Sequence, residues 1–97
     1  MRKLSKYATT ISNFFGDSDL GQCTAIIYHS TPIVRVTDKA IKLESGGWRT
    51  ATTKKKMNQG LAELGVNFIY VFQKNYLWYV NVNGQAQEFK DGMIIPK

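Results

Sequence analysis

The chain has 97 residues, 43% of them hydrophobic and 12% aromatic, and a formal net charge of +6 at pH 7. This length suits a single domain, and the composition is too apolar for a disordered segment. No apolar run approaches the roughly 18 residues that a membrane helix needs, and the basic N-terminus lacks the apolar segment of a signal peptide. Cys23 is the single cysteine, so no intrachain disulfide can form, and its simplest interpretation is a small buried residue.

Residues 1–22 are predicted to form an N-terminal arm ahead of an α+β domain that spans residues 23–97. Within the arm, residues 1–15 are predicted to form a short amphipathic helix, and the glycines and aspartates that follow predict a loop. The helix prediction depends on four apolar residues at helical spacing: Leu4, Tyr7, Ile11 and Phe14.

From Cys23 onward the hydrophobic pattern changes to the period of β-strands. Residues 24–28, 33–37 and 40–44 predict a three-stranded meander, with turns at residues 29–32 and 38–39.

The glycine break after this meander is followed by a predicted helix over residues 53–64. Thr52 or Thr53 is the predicted N-cap, because a threonine hydroxyl can accept a hydrogen bond from a first-turn N–H. Gly65 suits the position after the helix, where a left-handed conformation is common. The stripe that would pack on a sheet consists of Met57, Leu61 and Leu64.

The last third of the chain is predicted to form a second meander of three strands, over residues 66–73, 76–82 and 85–89, which residues 93–95 complete. Its first strand carries apolar residues on both faces, which predicts a central strand, and Asn83-Gly84 predicts a type I′ hairpin turn. The predicted fold is therefore α+β, a curved antiparallel sheet or small open barrel of order β-β-β-α-β-β-β with one helix packed on it.

Groups typical of catalysis are nearly absent. His29, the only histidine, lies in a predicted turn with no partner suggested by spacing, and the typical Zn²⁺, triad and phosphate-loop motifs are missing. The sequence therefore predicts a protein that is not an enzyme and holds no metal or cofactor. A core of this size gives modest stability, which oligomerisation would reinforce.

Most of the positive charge falls within residues 35–56, where seven basic and two acidic residues give a local charge of +5. Such clustering is typical of a polyanion-binding surface, and the alternative is a solvated surface that aids solubility.

Three lysines fall in the first turn of the predicted helix, where the helix dipole disfavours them. A departure from local preference with no structural gain often marks a functional site. Together with the first-turn N–H groups, the surrounding residues predict an anion site. The alternative is an exposed lysine-rich helix start, with the tryptophan anchored in the core. The predicted nucleic-acid or anion-binding residues are Gly46, Gly47, Trp48, Arg49, Thr50, Thr52, Thr53, Lys54, Lys55 and Lys56.

Aromatic residues are dense in the final strands. Such rings can stack on unpaired bases, although most sheet aromatics are core residues or cross-strand pairs. Phe68, Tyr70 and Phe72 are predicted to be core, whereas Tyr76 and Trp78 are the predicted exposed pair.

Two stretches, IKLESGGWRTATTKKKMNQ and VFQKNYLWYVNVNGQAQEFKDGMII, resemble a family of small tailed-bacteriophage proteins with no assigned activity. The shared pattern is I-x-L-x-S-G-G-W-x-T-x-T-T-K-x-x-M-N-Q, then a Q-K-N-x-x-W-x-V strand and a D-G-M end. The resemblance covers about residues 24–95 and leaves the arm outside. It implies a phage origin and the host bacterial cytoplasm, and it carries over no catalytic residue.

Two functions follow as expectations. In the first, the protein is a phage accessory protein that binds nucleic acid or another phosphate-bearing ligand through its basic segment. In the second, it is a phage inhibitor that turns the same surface against an acidic patch of a host bacterial protein, such as a defence nuclease or polymerase. The sequence alone leaves both open.

Overall fold

The computed structural model describes residues 2–3, 9–47 and 49–97, and these form nine strands and one helix. Five strands precede the helix and four follow it. The elements are β1 (Arg2–Lys3), β2 (Thr9–Asp17), β3 (Gly21–Tyr28), β4 (Thr31–Val36), β5 (Ala40–Leu43), α1 (Ala51–Glu63), β6 (Ile69–Lys74), β7 (Leu77–Val82), β8 (Gln85–Glu88) and β9 (Met93–Pro96).

The strands form two antiparallel sheets, which confirms the predicted α+β class with one helix in the described part of the chain. The larger sheet has the order β1-β2-β3-β4-β5-β9, and the smaller has the order β6-β7-β8. The predicted single curved sheet or open barrel is thus replaced by two separate sheets. The core lies between them and α1, and includes Ile26, Ile33, Ile41, Met57 and Val80, each fully buried.

Strand β9 departs from the predicted second meander, because it pairs with β5 rather than β8. Ile95 lies opposite Ile41 in this pairing, and both side chains are buried in the core. The Gly92 N–H donates to the carbonyl oxygen of Leu43 at 2.8 Å and so holds the chain at the point where it crosses to the larger sheet.

The predicted N-terminal helix is wrong for residues 9–15, which lie in β2 and pair with β3. β-branched Thr9, Thr10 and Ile11 favour a strand, and Ile11 is buried in the core. The register shifts between Ser12 and Phe15, and a bulge of this kind breaks the strict alternation of faces. Residues 9–17 are therefore part of the larger sheet. The other two residues of the predicted helical stripe, Leu4 and Tyr7, lie outside the described residues.

Helix α1 begins two residues earlier than predicted, and its N-cap is Thr50 rather than Thr52 or Thr53. The predicted apolar stripe is confirmed for Met57 and Leu61, which are buried, and Leu64 is half-buried against the same core. Gly65 has a φ of 77°, as predicted for the residue after the helix.

Gly60 lies where α1 crosses β3. A Cβ at this position would lie 2.7 Å from Cγ1 of Ile26, so only glycine allows the helix to approach this closely.

Strand β6 is an edge strand of the smaller sheet, so its prediction as a central strand is wrong. Ile69 and Val71 point into the core, whereas Tyr70 on the opposite face is 52% exposed. The prediction for Trp78 is also wrong, because this residue is buried against Phe89. When both faces of a strand carry apolar side chains, as in β6 and β7, the sequence does not show which face is buried. A shift of one residue in the assigned pattern exchanges the buried and exposed faces.

Candidate nucleic-acid interface

The predicted anion site centres on the start of α1. There the N-cap residue, Thr50, already binds one of the backbone N–H groups that were expected to bind an anion. Thr50 is extended, and its Oγ1 accepts a hydrogen bond from the N–H of Thr53 at 3.2 Å. The two hydroxyls also lie 3.1 Å apart, and Thr53 is fully buried. One of the first-turn donors expected to face an anion is therefore satisfied inside the protein.

The three lysines follow the first turn instead of lying in it, because α1 begins at Ala51. Their side chains also diverge: Lys55 is exposed, Lys54 reaches strand β6, and Lys56 is largely buried. The Nζ of Lys54 donates to Oε1 of Gln73 at 3.3 Å. The helix dipole acts mainly within the first turn, so the lysines oppose it less than predicted.

Arg49 is held by the loop that precedes β9. Its Nη2 lies 3.5 Å from Oδ2 of Asp91, and its guanidinium lies 5.0 Å from the centre of the Phe89 ring. Burial raises the pKa of Asp91, but hydrogen bonds from Ser45 and the charge of Arg49 outweigh it and lower the pKa overall. Arg49 thus joins the start of α1 to the β8–β9 connection.

The glycine turn before Arg49 is a structural requirement of the loop. Gly46 and Gly47 have φ values of 65° and 84°, which favour glycine. A Cβ on Gly46 would lie 2.7 Å from Cγ2 of Thr31, so the backbone of Gly46 closely approaches the first residue of β4. Trp48 lies outside the described residues.

A pocket of about 540 Å³ opens beside the start of α1. His29 lies in its wall, although the sequence predicts only an ordinary turn histidine at this position. His29 and Ser30 both have positive φ, and the His29 ring lies 4.4 Å from that of Tyr28. No local pattern could place His29 beside a helix start some 20 residues later in the chain. The lining residues are Tyr28, His29, Thr31, Ile33, Ser45, Thr50, Thr52 and Thr53.

Part of the predicted basic cluster is paired with carboxylates. Asp17, almost fully buried, forms ion pairs with both Arg35 and Lys42, and Lys42 also lies 2.8 Å from Asp19. Glu44 lies 3.7 Å from Arg35. Together with Arg49, three of the seven basic residues in 35–56 are thus engaged by carboxylates, and the charge that faces solvent is smaller than the sequence suggests.

The pKa of Asp17 reflects this environment. Burial raises it, but the backbone N–H groups of Leu20 and Asp19, the ammonium of Lys42 and the charge of Arg35 together lower it to about 2. The carboxylate therefore stays ionised at neutral pH and holds the two cations in the sheet.

The outer face of the smaller sheet is an aromatic surface that the sequence pattern does not predict. Tyr70, Phe72 and Tyr79 form a row of neighbouring rings there, with centroid distances of 5.7 Å and 5.6 Å. Phe72 lies opposite Tyr79 in the strand register, and Lys74 lies opposite Leu77 on the same face. We call the three rings the aromatic row. The sequence signal for the aromatic row is the alternation along β6: Tyr70 and Phe72 lie on the outer face, and Ile69 and Val71 lie on the core face.

Family comparison identifies the chain as a bacteriophage protein. Residues 2–96 match the Kyanoviridae Gp96 protein family, a family of cyanophage proteins, and the chain belongs to this family because the match covers nearly all of it. The match includes the N-terminal region that the sequence resemblance left outside. No curated protein and no solved structure matches the chain. Among the described residues, no helix is long and apolar enough to cross a membrane.

Proposed function

We propose that this phage protein is a non-enzymatic accessory protein that binds nucleic acid through lysines of α1 and of the neighbouring β6–β7 hairpin. The observation that carries the proposal is the contact between Lys54 and Gln73, which brings the lysine-bearing turn of α1 against the end of β6. Lys74 is the next residue of that strand and is exposed, as is Lys55 on the helix. Lys54, Lys55 and Lys74 form what we call the lysine cluster.

Charge distribution supports this surface over the rest of the basic segment. Arg35, Lys42 and Arg49 have carboxylate partners, so a phosphate would have to compete with Asp17, Asp19 or Asp91 for them. Lysine ammonium groups that face solvent can instead replace the counterions of a phosphate backbone, which is the main source of nonspecific affinity.

The start of α1 adds less to the proposed interface than the sequence predicted. Its cap hydroxyl already binds the N–H of Thr53. The binding energy is thus assigned chiefly to side-chain cations, and contacts of this kind position a nucleic acid without reading its sequence.

Two double variants of equal charge test the proposal. Lys54→Gln/Lys55→Gln removes two cations of the lysine cluster. Lys39→Gln/Lys97→Gln removes two from the larger sheet, one in the β4–β5 turn and one after β9, where the Lys97 N–H donates to the carbonyl oxygen of Lys39. Affinity for a fluorescent 20-nucleotide dT oligomer (dT20) and for a 20-base-pair duplex is measured by anisotropy at low salt.

The cluster variant should weaken binding to the probe that the wild type prefers by about tenfold, since two exposed charge contacts contribute on the order of 1.4 kcal/mol. The control variant should stay within about twofold of wild type. The two lysines that it removes make no direct contact with the probe in this proposal, so they contribute only through the screened net charge of the protein. Equal losses in both variants would mean that only net charge matters and would overturn the assignment to the lysine cluster. If the wild type binds neither probe, the expectation that the protein inhibits a host protein replaces the proposal.

A further inference from the structure

From the outer face of the smaller sheet, we infer that the aromatic row of Tyr70, Phe72 and Tyr79 stacks on unpaired bases, so that the preferred ligand is single-stranded nucleic acid. This inference rests on the proposed function and specifies its ligand. Its basis is the juxtaposition of a row of rings on a sheet surface with lysines along one border.

The aromatic row is not required by the core of the protein. The opposite face of β6 and β7 supplies the buried residues, since Val71, Trp78 and Val80 are each at most 3% exposed. Tyr70 is 52% exposed, and Leu77 at the end of the row is 49% exposed. Phe72 and Tyr79 are half-buried. The sheet therefore has one face for folding and one aromatic face, whose most accessible ring is Tyr70.

Ring geometry suits stacking. Phe72 and Tyr79 are nearly parallel, with an interplanar angle of 23°, and Tyr70 is tilted by 45° to Phe72. Sheet-borne rings bind bases through their flat faces, and this contact tolerates any sequence because every base has a π-face. A duplex keeps its bases stacked on one another and cannot offer them to these rings.

The distribution of charge around the row supports nucleic acid as the occupant. Lys74 lies on the same face at the end of β6. Lys54 of α1 contacts the preceding residue, Gln73, from the opposite face, so it lies at the border of the row rather than on it. The acidic residue on this face is Glu88, which pairs with Tyr79 from β8 on the far side of the sheet. The β6 border therefore suits the phosphate backbone, with the bases directed over the rings.

Tyr76, at the tip of the β6–β7 hairpin, strengthens the case for a functional surface. It has a φ of 67°, a conformation that favours glycine or asparagine, and its side chain is 94% exposed. A large ring at such a position gains nothing from packing, and residues of this kind are typical of contact surfaces.

The experiment compares substitutions that each remove one exposed ring but keep an apolar side chain. Tyr70→Leu removes a ring of the aromatic row. Phe14→Leu, the matched control, removes a ring that is 82% exposed on the larger sheet. Tyr70→Phe keeps the ring and removes only the hydroxyl. Binding of dT20 and of the 20-base-pair duplex is measured for each variant, after thermal melting has shown that the folds are intact.

Wild type should bind dT20 more tightly than the duplex. Tyr70→Leu should weaken dT20 binding by about fivefold or more, the loss expected for one base stacked on one ring, with duplex binding unchanged. Tyr70→Phe and Phe14→Leu should both resemble wild type.

The possible failures are distinguishable. If wild type binds both probes and Tyr70→Leu changes neither affinity, the stacking inference is wrong, the lysine cluster keeps its role, and the aromatic face is assigned to protein contact. Equal weakening of dT20 and duplex by Tyr70→Leu also overturns stacking, because a duplex presents no free bases. If wild type binds neither probe, the proposed function itself fails.

Discussion

The side-chain amide of Asn58 makes the two backbone hydrogen bonds with Val71 that a neighbouring strand would otherwise make. Its Nδ2 donates to the Val71 carbonyl oxygen at 2.9 Å, and its Oδ1 accepts from the Val71 N–H at 2.8 Å. Helix α1 thereby covers the open edge of β6 and joins the smaller sheet to the rest of the fold. The same contact places the side of α1 that carries Lys54 along the edge of β6, the strand that bears Tyr70 and Phe72.

Substitution of Asn58 by Ala should lower the free energy of unfolding by about 1–3 kcal/mol, because a backbone donor and a backbone acceptor lose their partner. Urea unfolding measures the loss. Gln59→Ala, at the next and exposed position of α1, is the control and should change stability by less than about 0.5 kcal/mol. Equal effects would show that the Asn58 amide does not hold the edge of β6.

Gly60→Ala should destabilise the protein even though alanine is the better helix former. Alanine favours a helix by up to about 1 kcal/mol over glycine, but the added Cβ would lie 2.7 Å and 3.1 Å from Cγ1 and Cγ2 of Ile26. Overpacking of this kind costs typically 1–3 kcal/mol. Urea unfolding decides the sign, and a stabilised variant would mean that α1 does not lie this close to β3.

Tyr76→Gly should raise the free energy of unfolding by about 1 kcal/mol, because a non-glycine residue with positive φ carries a conformational cost. Little packing is lost, since the ring is almost fully exposed. Thermal unfolding measures the change. Tyr76→Ala, which removes the ring but keeps a Cβ, is the control and should not stabilise; a similar gain in both variants would contradict the backbone explanation.

Stability at acid pH should depend on Asp17. Its pKa in the folded protein, about 2, lies below the ordinary value of 3.8. A lowered folded-state pKa contributes stability that is present above pH 3.8 and is lost as the pH falls toward 2. Asp17→Asn should therefore be less stable than wild type at pH 6, and the difference should narrow between pH 4 and pH 2. Asp38→Asn, which removes a carboxylate from an exposed turn, is the control and should change stability at pH 6 by less than about 0.5 kcal/mol. A constant deficit for Asp17→Asn would contradict the assignment.

Local signals in the sequence predicted the elements whose causes are local. The Asn83-Gly84 turn has the predicted positive φ at both residues, 52° and 87°. The stripe of Met57 and Leu61 packs on the core as expected, because helical periodicity is a property of the segment itself. Helix α1 was predicted within two residues at its start and one at its end.

The features that the sequence does not predict depend on contacts between residues that are distant in the chain. Nothing near Ile95 indicates that its strand pairs with Ile41 rather than with β8, because that choice is made by burial in the shared core. The pairing of Lys42 with Asp17 likewise spans 25 residues, so the local sequence around Lys42 gives no sign that its charge has a partner. The aromatic row was hidden because both faces of β6 are apolar, and only tertiary packing decides that Val71 is covered and Tyr70 is not.

The salt dependence of dT20 binding tests the central claim most directly. If Lys54, Lys55 and Lys74 contact phosphates, the logarithm of the wild-type association constant should fall with the logarithm of salt concentration with a slope of about −2, at roughly −0.7 per phosphate. Lys54→Gln/Lys55→Gln should reduce the steepness of this slope by about 1.4, and Lys39→Gln/Lys97→Gln should leave it unchanged. A wild-type affinity weaker than about 100 μM at low salt, or a slope that is the same in all three proteins, would contradict the claim.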